Sequence, residues 1–403
     1  MAADANGPLG GVTVIELAHI MAGPAAGMLL ADLGAEVIKV ERIPGGDDSR
    51  SFATVDIEGE SPTFMMMNRN KRGIAVDLKT EGGKEVVRRL LKTADVVIEN
   101  YRRGTMERFG LGYNRLKEAN PGLIYCEISG FGRTGPYADR GGFDLIAQGM
   151  SGLLSVTGEG PDRPPVKCGA PITDITAGIL AALGVLAALV ERQHSGLGQR
   201  VDTSLFEAGI THTFWQSAIA LASGVSPGPM GTGSPVAAPY QAFPTADGWI
   251  TVGGANQSNW LKLLGVLDAP ELGDDPRFGE NPDRMENVAA LEAVLGELFI
   301  ERTSAEWLEK LEEAGVPAGP VMSVGEMHED PQTLARKMVV EVEHDRAGKV
   351  KTLGPPVKLS RTPASVRRAA PVLGQHTAEV LTEYGYSSEE IDNLAAAGAV
   401  IVG

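Results

Sequence analysis

The feature that most restricts the fold of this chain is an alternation near its start. Short runs rich in β-branched and other apolar residues, "GVTVIEL", "AEVIKVE", "GIAVDL", "DVVIEN" and "GLIYCEIS", are separated by helical patterns through "AAGMLLADLG" and "GGKEVVRRLLKTA". Strands that alternate with helices pair in parallel, because each helix supplies the crossover and covers one face of the sheet. The expected fold class is α/β.

Downstream, two helix candidates follow back to back, Asp174 to Gln193 and Thr203 to about Ala222, joined by the turn-rich "HSGLGQR". The stretch "SGVSPGPMGTGSPVAAP" is dense in Gly, Pro and Ser and reads as a linker. Beyond it, "YQAFPTADGWITVGG" gives two β-type runs around a polar turn, then helical patterns at "NWLKLLGVL", "NVAALEAVLGELFIE" and "SAEWLEKLEEAG", which together read as a smaller α+β unit. A second hairpin in "MVVEVEHDRAGKVKTLG" and a helix around "HTAEVLTEYG" close the chain. The predicted division is a large domain over 1–222, a linker and small domain over 223–335, and a C-terminal segment over 336–403.

The 52 acidic against 36 basic residues leave a net charge of −16, which argues against nucleic acid as a partner, since phosphate backbones are met by clustered cations. Cys126 and Cys168 share no CxxC spacing, so neither a disulfide framework nor a zinc site is indicated. The histidines His19, His194, His212, His328, His344 and His376 are scattered without a ligand-like pair, so no metal site is expected. Phosphate-loop, serine-elbow, zinc-protease and dinucleotide fingerprints are all missing from the sequence. The longest apolar run, Ile175 to Val190, is shorter than the ~18 residues of a membrane span and reads as a helix buried on all sides. The opening "MAADANGPLGG" resembles neither a signal nor a transit peptide, and a cytoplasmic protein is expected.

Asp174, in "KCGAPITDITAG", precedes an apolar-periodic run and has two readings. It is placed as an N-cap; the same helix dipole would keep its carboxylate ionised and able to attack an activated acyl group. Basic residues gather at Arg42, at Arg69, Lys71 and Arg72, and at Arg102, Arg103 and Arg108, either as a solvated face or as a cradle for a phosphate-rich ligand. In "TVGGANQ", Gly253 and Gly254 make either a plain turn or a flexible flap.

Taken together, "LADLGAEVIKVE", "NRNKRGIAVDLKT", "ADVVIENYRRGTMERFGLGY", "GFGRTGPYADRGGFDLIAQGMSGLLSVTG", "ITDITAGILAALGVLAALVERQHSGLGQRVD" and "LGQHTAEVL" resemble the class III (family III) CoA-transferases, in the same order and over nearly the whole chain. The resemblance implies a Rossmann-like large domain, a smaller domain, a C-terminal segment that returns to the large one, and an interlocked homodimer. It places the nucleophilic aspartate on Asp174 and the glycine loop that covers the site on Gly253 and Gly254. It carries CoA phosphate binding onto Arg42, Lys71, Arg72, Asn100 and Arg108, and the loop lining the pantetheine thiol onto His19, Ile20 and Met21. Tyr101 and Arg140 complete the candidate CoA-binding set. No tightly bound cofactor is implied, since coenzyme A enters as an acyl-CoA substrate beside a small carboxylic acid, and no membrane partner is implied.

Met21 stands where formyl-CoA transferases carry Gln, which counts against an oxalate acceptor. "PYQAF", "DGWITVGGANQ", "GPPVKLS" and "VLGQHT" look most like the branch that moves CoA from succinyl-CoA to dicarboxylates such as glutarate. The α-methylacyl-CoA racemases share the fold but need a histidine where this chain has Phe143, and a phenyl ring moves no proton. Asp144 beside it reads as a helix cap or a supporting acid. A non-catalytic acyl-CoA binding protein is the third reading, because fold alone does not establish function.

Overall fold

Six strands, β1 (Thr13–Leu17), β2 (Glu36–Glu41), β3 (Lys71–Val76), β4 (Val96–Glu99), β5 (Ile124–Ser129) and β6 (Arg200–Ser204), form a parallel sheet in the order β3-β2-β1-β4-β5-β6. A short last strand, Val400–Ile401, pairs antiparallel with β3 at the edge. The computed structural model describes residues 7–52 and 55–403.

The central strands are buried on both faces, as parallel strands flanked by helices must be, and successive residues serve opposite layers. Val14, Val37, Val96 and Ile124 pack on one side with the helices Ala22–Asp32 and Ile172–Ser195; Ile15, Ile38, Val97 and Tyr125 pack on the other with the helix Glu81–Leu91. Because β1 has β2 on one side and β4 on the other, the chain leaves their C-terminal ends in opposite directions. A crevice opens at such a switch point.

The sheet contains one strand the sequence pattern conceals. Where the sequence predicts the turn "HSGLGQR" and a helix from Thr203, residues 200–204 are β6, registered on β5 from Tyr125↔Arg200 to Ser129↔Ser204. Arg200 is exposed and only Thr203 and Ser204 are buried in that strand, so it lacks the apolar run that marks an interior strand. The helical pattern after it is two helices, Leu205–Thr211 and Phe214–Ser223.

The helix Ile172–Ser195 also departs from expectation. It outruns the apolar segment, and by length and composition alone it could cross a membrane. It is not buried on all sides: Ala177, Gly178, Ala181 and Val185 face the sheet and the helix Ala22–Asp32, whereas Ile175, Ile179, Leu183 and Val190 are between 37% and 61% exposed. At Gly178 the two helices nearly touch, since a Cβ there would lie 2.8 Å from the Ala22 carbonyl oxygen and 2.8 Å from the Ala25 methyl.

By internal contacts the chain forms two units. The first comprises the chain up to Ser151, Gly169–His212 and Pro331–Gly403; the second comprises Gly152–Cys168 and Thr213–Asp330. The division falls differently from that expected at residue 222, because the helix Phe214–Ser223 and the segment Gly152–Cys168 both group with the second unit. That unit has an antiparallel sheet of β7 (Tyr240–Pro244), β8 (Trp249–Gly253) and β9 (Ala318–Pro320) over a core that includes Phe243, Trp260, Phe299 and Trp307. The hairpin of β10 (Val339–His344) and β11 (Gly348–Leu353) belongs to the first unit.

Candidate active site

The switch-point crevice of the first unit is a cavity of about 440 Å³. Its walls are the loop after β1, with His19, Ile20 and Met21; the loop after β4, with Asn100 and Tyr101; and the loop 138–143 over the end of β5, with Arg140. Asp174 faces the same cavity. The Asn100 side chain ties the first two walls together, accepting from the His19 amide at 3.0 Å and donating to its carbonyl at 2.8 Å. The His19 ring packs beside Tyr101 with centroids 5.8 Å apart, and its Nδ1 lies 3.3 Å from Asp48 Oδ2.

Tyr101 is held from beneath. Glu99 accepts its amide at 2.7 Å, Arg133 donates to its carbonyl at 3.1 Å, and Arg133 and Glu99 pair with each other at 2.5 Å, both buried. The third wall approaches by glycine contact. A Cβ on Gly142 would sit 2.3 Å from the Gly130 Cα, so any side chain there forces that loop off the strand end.

Asp174 is not the helix cap that its sequence position suggests. The helix starts at Ile172, and Asp174 sits in its first turn. The capping is done by Asp144, whose Oδ1 accepts from the Thr173 amide at 2.9 Å and the Thr173 hydroxyl at 2.8 Å. Gln148 donates to the other oxygen of Asp144 at 2.7 Å.

Nor does the helix dipole keep Asp174 strongly acidic. Burial, and then the negative charge of Asp144, push its pKa from an ordinary 3.8 up to about 7. A dipole is worth roughly 0.3–1 kcal/mol at a helix end, less than one pKa unit, so desolvation of this size overrides it. The carboxyl is thus divided between acid and nucleophilic carboxylate near neutral pH.

Two of the expected phosphate ligands are committed elsewhere. Lys71 is fully buried, with its ammonium 2.8 Å from Glu16, 2.9 Å from the Pro24 carbonyl and 2.8 Å from Asn68 Oδ1; burial lowers its pKa to about 8 despite Glu16. Arg72 is met by Glu36 at 2.5 Å and by Glu379 and Glu383 at 2.8 Å each, so it fastens the helix Thr377–Glu383, one of two near the C-terminus, to β3. Neither offers its charge to a ligand, because neighbouring carboxylates have already taken it. A cluster in sequence does not separate a solvated cation from a buried one.

Arg42 is exposed and pairs with Asp48, which lines the cavity. Arg108 is exposed and donates to the Thr105 hydroxyl at 2.9 Å, bracing a wall residue without lining the cavity. The Arg140 guanidinium lies over the Tyr137 ring at 4.0 Å. Gly253 and Gly254 lie in the second unit, at the end of β8: the Gly253 amide donates to the Pro317 carbonyl at 2.8 Å, and a Cβ on Gly254 would meet Pro239 at 2.9 Å.

Some wall residues escaped the sequence reading as site residues. Asp48, Ser129, Asp139 and Leu205 line the cavity. Ser129 ends β5 and Leu205 directly follows β6, whereas Asp48 and Asp139 lie further along the segments that leave β2 and β5, so these positions become informative only once strand order identifies the switch point.

The arrangement is a carboxylate poised at a strand-end crevice lined by loops that can take a long ligand. The sequence model of CoA-transferase family III matches residues 9–377. A succinate–glutarate CoA-transferase from Agrobacterium fabrum is 41% identical over 93% of this chain and 95% of its own length. The human succinyl-CoA:glutarate CoA-transferase is 38% identical over 98% of this chain and 90% of its own. Among solved structures, a CaiB/BaiF family protein from Brucella suis superposes with a TM-score of 0.84 at 42% identity, covering 94% of this chain and 100% of that one. The chain belongs to CoA-transferase family III and is an enzyme of that class, with CoA thioesters as substrates.

Proposed function

We propose that this enzyme moves CoA from succinyl-CoA to a second dicarboxylic acid, with Asp174 as the covalent nucleophile. The observation that carries the proposal is Asp174 itself: a carboxyl in the wall of the switch-point cavity, with its pKa raised to about 7. The names of the Agrobacterium and human relatives supply the substrate class.

In the proposed sequence an Asp174 oxygen attacks the donor thioester carbonyl, and the C–S bond breaks to give a mixed anhydride and CoA thiolate. The thiolate then attacks the aspartyl carbonyl, which releases the donor acid and leaves Asp174 as a CoA thioester. The acceptor carboxylate attacks that thioester and expels the thiolate, which finally returns to the acceptor carbonyl. One thioester is exchanged for another, so no phosphoanhydride is spent and Asp174 is regenerated as a carboxylate.

A raised pKa suits this role. A desolvated carboxylate is a better nucleophile than a solvated one, and the wall that desolvates it also keeps water from the anhydride. His19, Ile20, Met21, Asn100 and Tyr101 are assigned to the thiol end of CoA, and Arg42, Arg108 and Arg140 to its phosphates.

The homodimer belongs to the same proposal. Ile175, Ile179, Leu183 and Val190 form an exposed apolar row on the helix whose start carries Asp174, and a second copy is the covering we assign to it. Light scattering at micromolar concentration checks this, and a stable monomer overturns it.

The decisive experiment mixes the enzyme with succinyl-CoA, quenches with hydroxylamine and maps peptides by mass spectrometry. A hydroxamate on the Asp174 peptide, lost in Asp174→Ala, is the expected result. No adduct despite demonstrated CoA binding overturns the nucleophilic role.

A further inference from the structure

Ile20, in the wall of the cavity, has φ of 69°. Among the described non-glycine residues with positive φ, which include Asn70 and Asp268, it is the only β-branched one. Asn and Asp visit the left-handed region readily, whereas a β-branched residue there is a genuine outlier that persists only when its surroundings over-determine it.

The surroundings do over-determine it. Lys39 donates to the Ala18 carbonyl at 2.8 Å, Asn100 takes both the amide and the carbonyl of His19, and Asp47 Oδ1 accepts the Ile20 amide at 2.9 Å. Each backbone polar group from the Ala18 carbonyl to the Ile20 amide is thus gripped by a side chain from elsewhere in the first unit. Asp47 is itself locked, with Oδ1 also accepting from the Ser49 amide and hydroxyl at 2.9 and 2.8 Å and Oδ2 2.9 Å from the Lys39 ammonium. Lys39 and Asp47 are both buried. Burial alone would lower the lysine pKa and raise the aspartate, but Glu16, Asp47 and Glu41 together reverse it for Lys39, and Lys39 together with the Ser49 and Ile20 amides reverses it for Asp47.

We propose that Asp47 is a positioning residue whose carboxylate, anchored by Lys39, holds Ile20 in the left-handed region and thereby sets the His19–Met21 wall against the thiol end of bound acyl-CoA. The inference rests on the assignment of this cavity to acyl-CoA made above. Without Asp47, Ile20 relaxes to negative φ and the wall turns. A glycine at position 20 adopts the same conformation without strain, so it has far less need of the anchor.

The test is a cycle on the full-length enzyme, reading CoA affinity by calorimetry and kcat and KM with succinyl-CoA. The effect of Asp47→Ala is measured twice, on the native background and on the Ile20→Gly background, each with its own baseline because Ile20 contributes to the wall. The expected result is a loss of about tenfold or more in CoA affinity and kcat/KM on the native background, shrinking to less than about threefold when Ile20→Gly is present. Thermal stability should fall by a similar amount on both backgrounds, since Lys39 loses one of its two carboxylate partners in each and keeps Glu16. Equal losses of affinity and kcat/KM on the two backgrounds overturn the proposal. If Asp47→Ala does not fold, Asp47→Asn, whose single carbonyl oxygen cannot face both the Lys39 ammonium and the amides of Ile20 and Ser49, is read through the same cycle by the same criterion. The affinity arm needs no transfer chemistry: coupling there without an Asp174 adduct refutes the nucleophile and not the positioning, whereas an adduct with no coupling refutes the positioning alone.

Discussion

Asp144 Oδ1 accepts both the amide and the hydroxyl of Thr173, at 2.9 and 2.8 Å, and so fixes the residue immediately before Asp174. One carboxylate caps the helix that carries the other, and its charge helps raise the pKa of its neighbour. Positioning and electrostatics come from the same group, which allows them to be separated by substitution.

Asp144→Asn keeps an acceptor for Thr173 and removes the charge. The pH at half-maximal single-turnover rate should therefore fall below about 7, though not to 3.8, because burial is the larger cause of the shift. Asp144→Ala removes the cap as well and should cost about 1 kcal/mol in urea denaturation. A pH profile unchanged by both substitutions would show that Asp144 does not act on Asp174.

The raised pKa of Asp174 is also a statement about stability. Between its ordinary 3.8 and about 7 the folded state holds the proton more tightly than the unfolded state, so this group's contribution falls as pH rises through that window. Above about pH 7 the ionised carboxylate destabilises the fold. Asp174→Asn should melt about 1–3 °C above the native enzyme at pH 8 and show no gain near pH 4, while losing transfer. Scanning calorimetry at the two pH values checks the sign.

Arg72 holds the fold together and does not bind a phosphate. With Glu36, Glu379 and Glu383 around its guanidinium, Arg72→Met should loosen the helix Thr377–Glu383. The three carboxylates are half exposed, so the loss should be only about 1–2 kcal/mol. Limited proteolysis should cut sooner near that helix, while KM for succinyl-CoA stays within about twofold. A large rise in KM would return Arg72 to the CoA site.

What was legible in the sequence follows from how each signal arises. β1 to β5 are legible because strands buried on both faces are rich in apolar residues even where a buried ion such as Glu16, Lys39 or Glu127 interrupts them, and β6 is not because it is a sheet edge with an exposed Arg200. The pocket loops around His19 and Asn100 could be named from resemblance. Their mutual hydrogen bonds, however, join residues 81 apart in sequence. The fates of Lys71 and Arg72 were hidden for the same reason: Glu379 and Glu383 lie more than 300 positions from Arg72. The left-handed Ile20 leaves no mark at all, since nothing in "AHIMAG" names Asp47, Lys39 and Asn100, which hold this stretch.

The approach of two helices at Gly178 ties the nucleophile to the pocket wall. Gly178 lies one turn beyond Asp174, and a Cβ there would meet the Ala22 carbonyl oxygen and the Ala25 methyl at 2.8 Å, neither of which is the end of a flexible side chain. Gly178→Val must therefore push the helix Ile172–Ser195 off the helix Ala22–Asp32, and Asp174 moves with it. A displacement near 1 Å is enough to lower transfer by about 100-fold, beyond a stability loss of roughly 1–3 kcal/mol from overpacking. Gly184 on the same helix provides the contrast, because a Cβ there meets the Val201 side chain at 2.5 Å rather than backbone. Gly184→Ala should lose stability while its transfer rate at saturating substrate stays within about threefold of native. Equal rate losses in the two variants would show that the Gly178 contact supports the fold without placing Asp174.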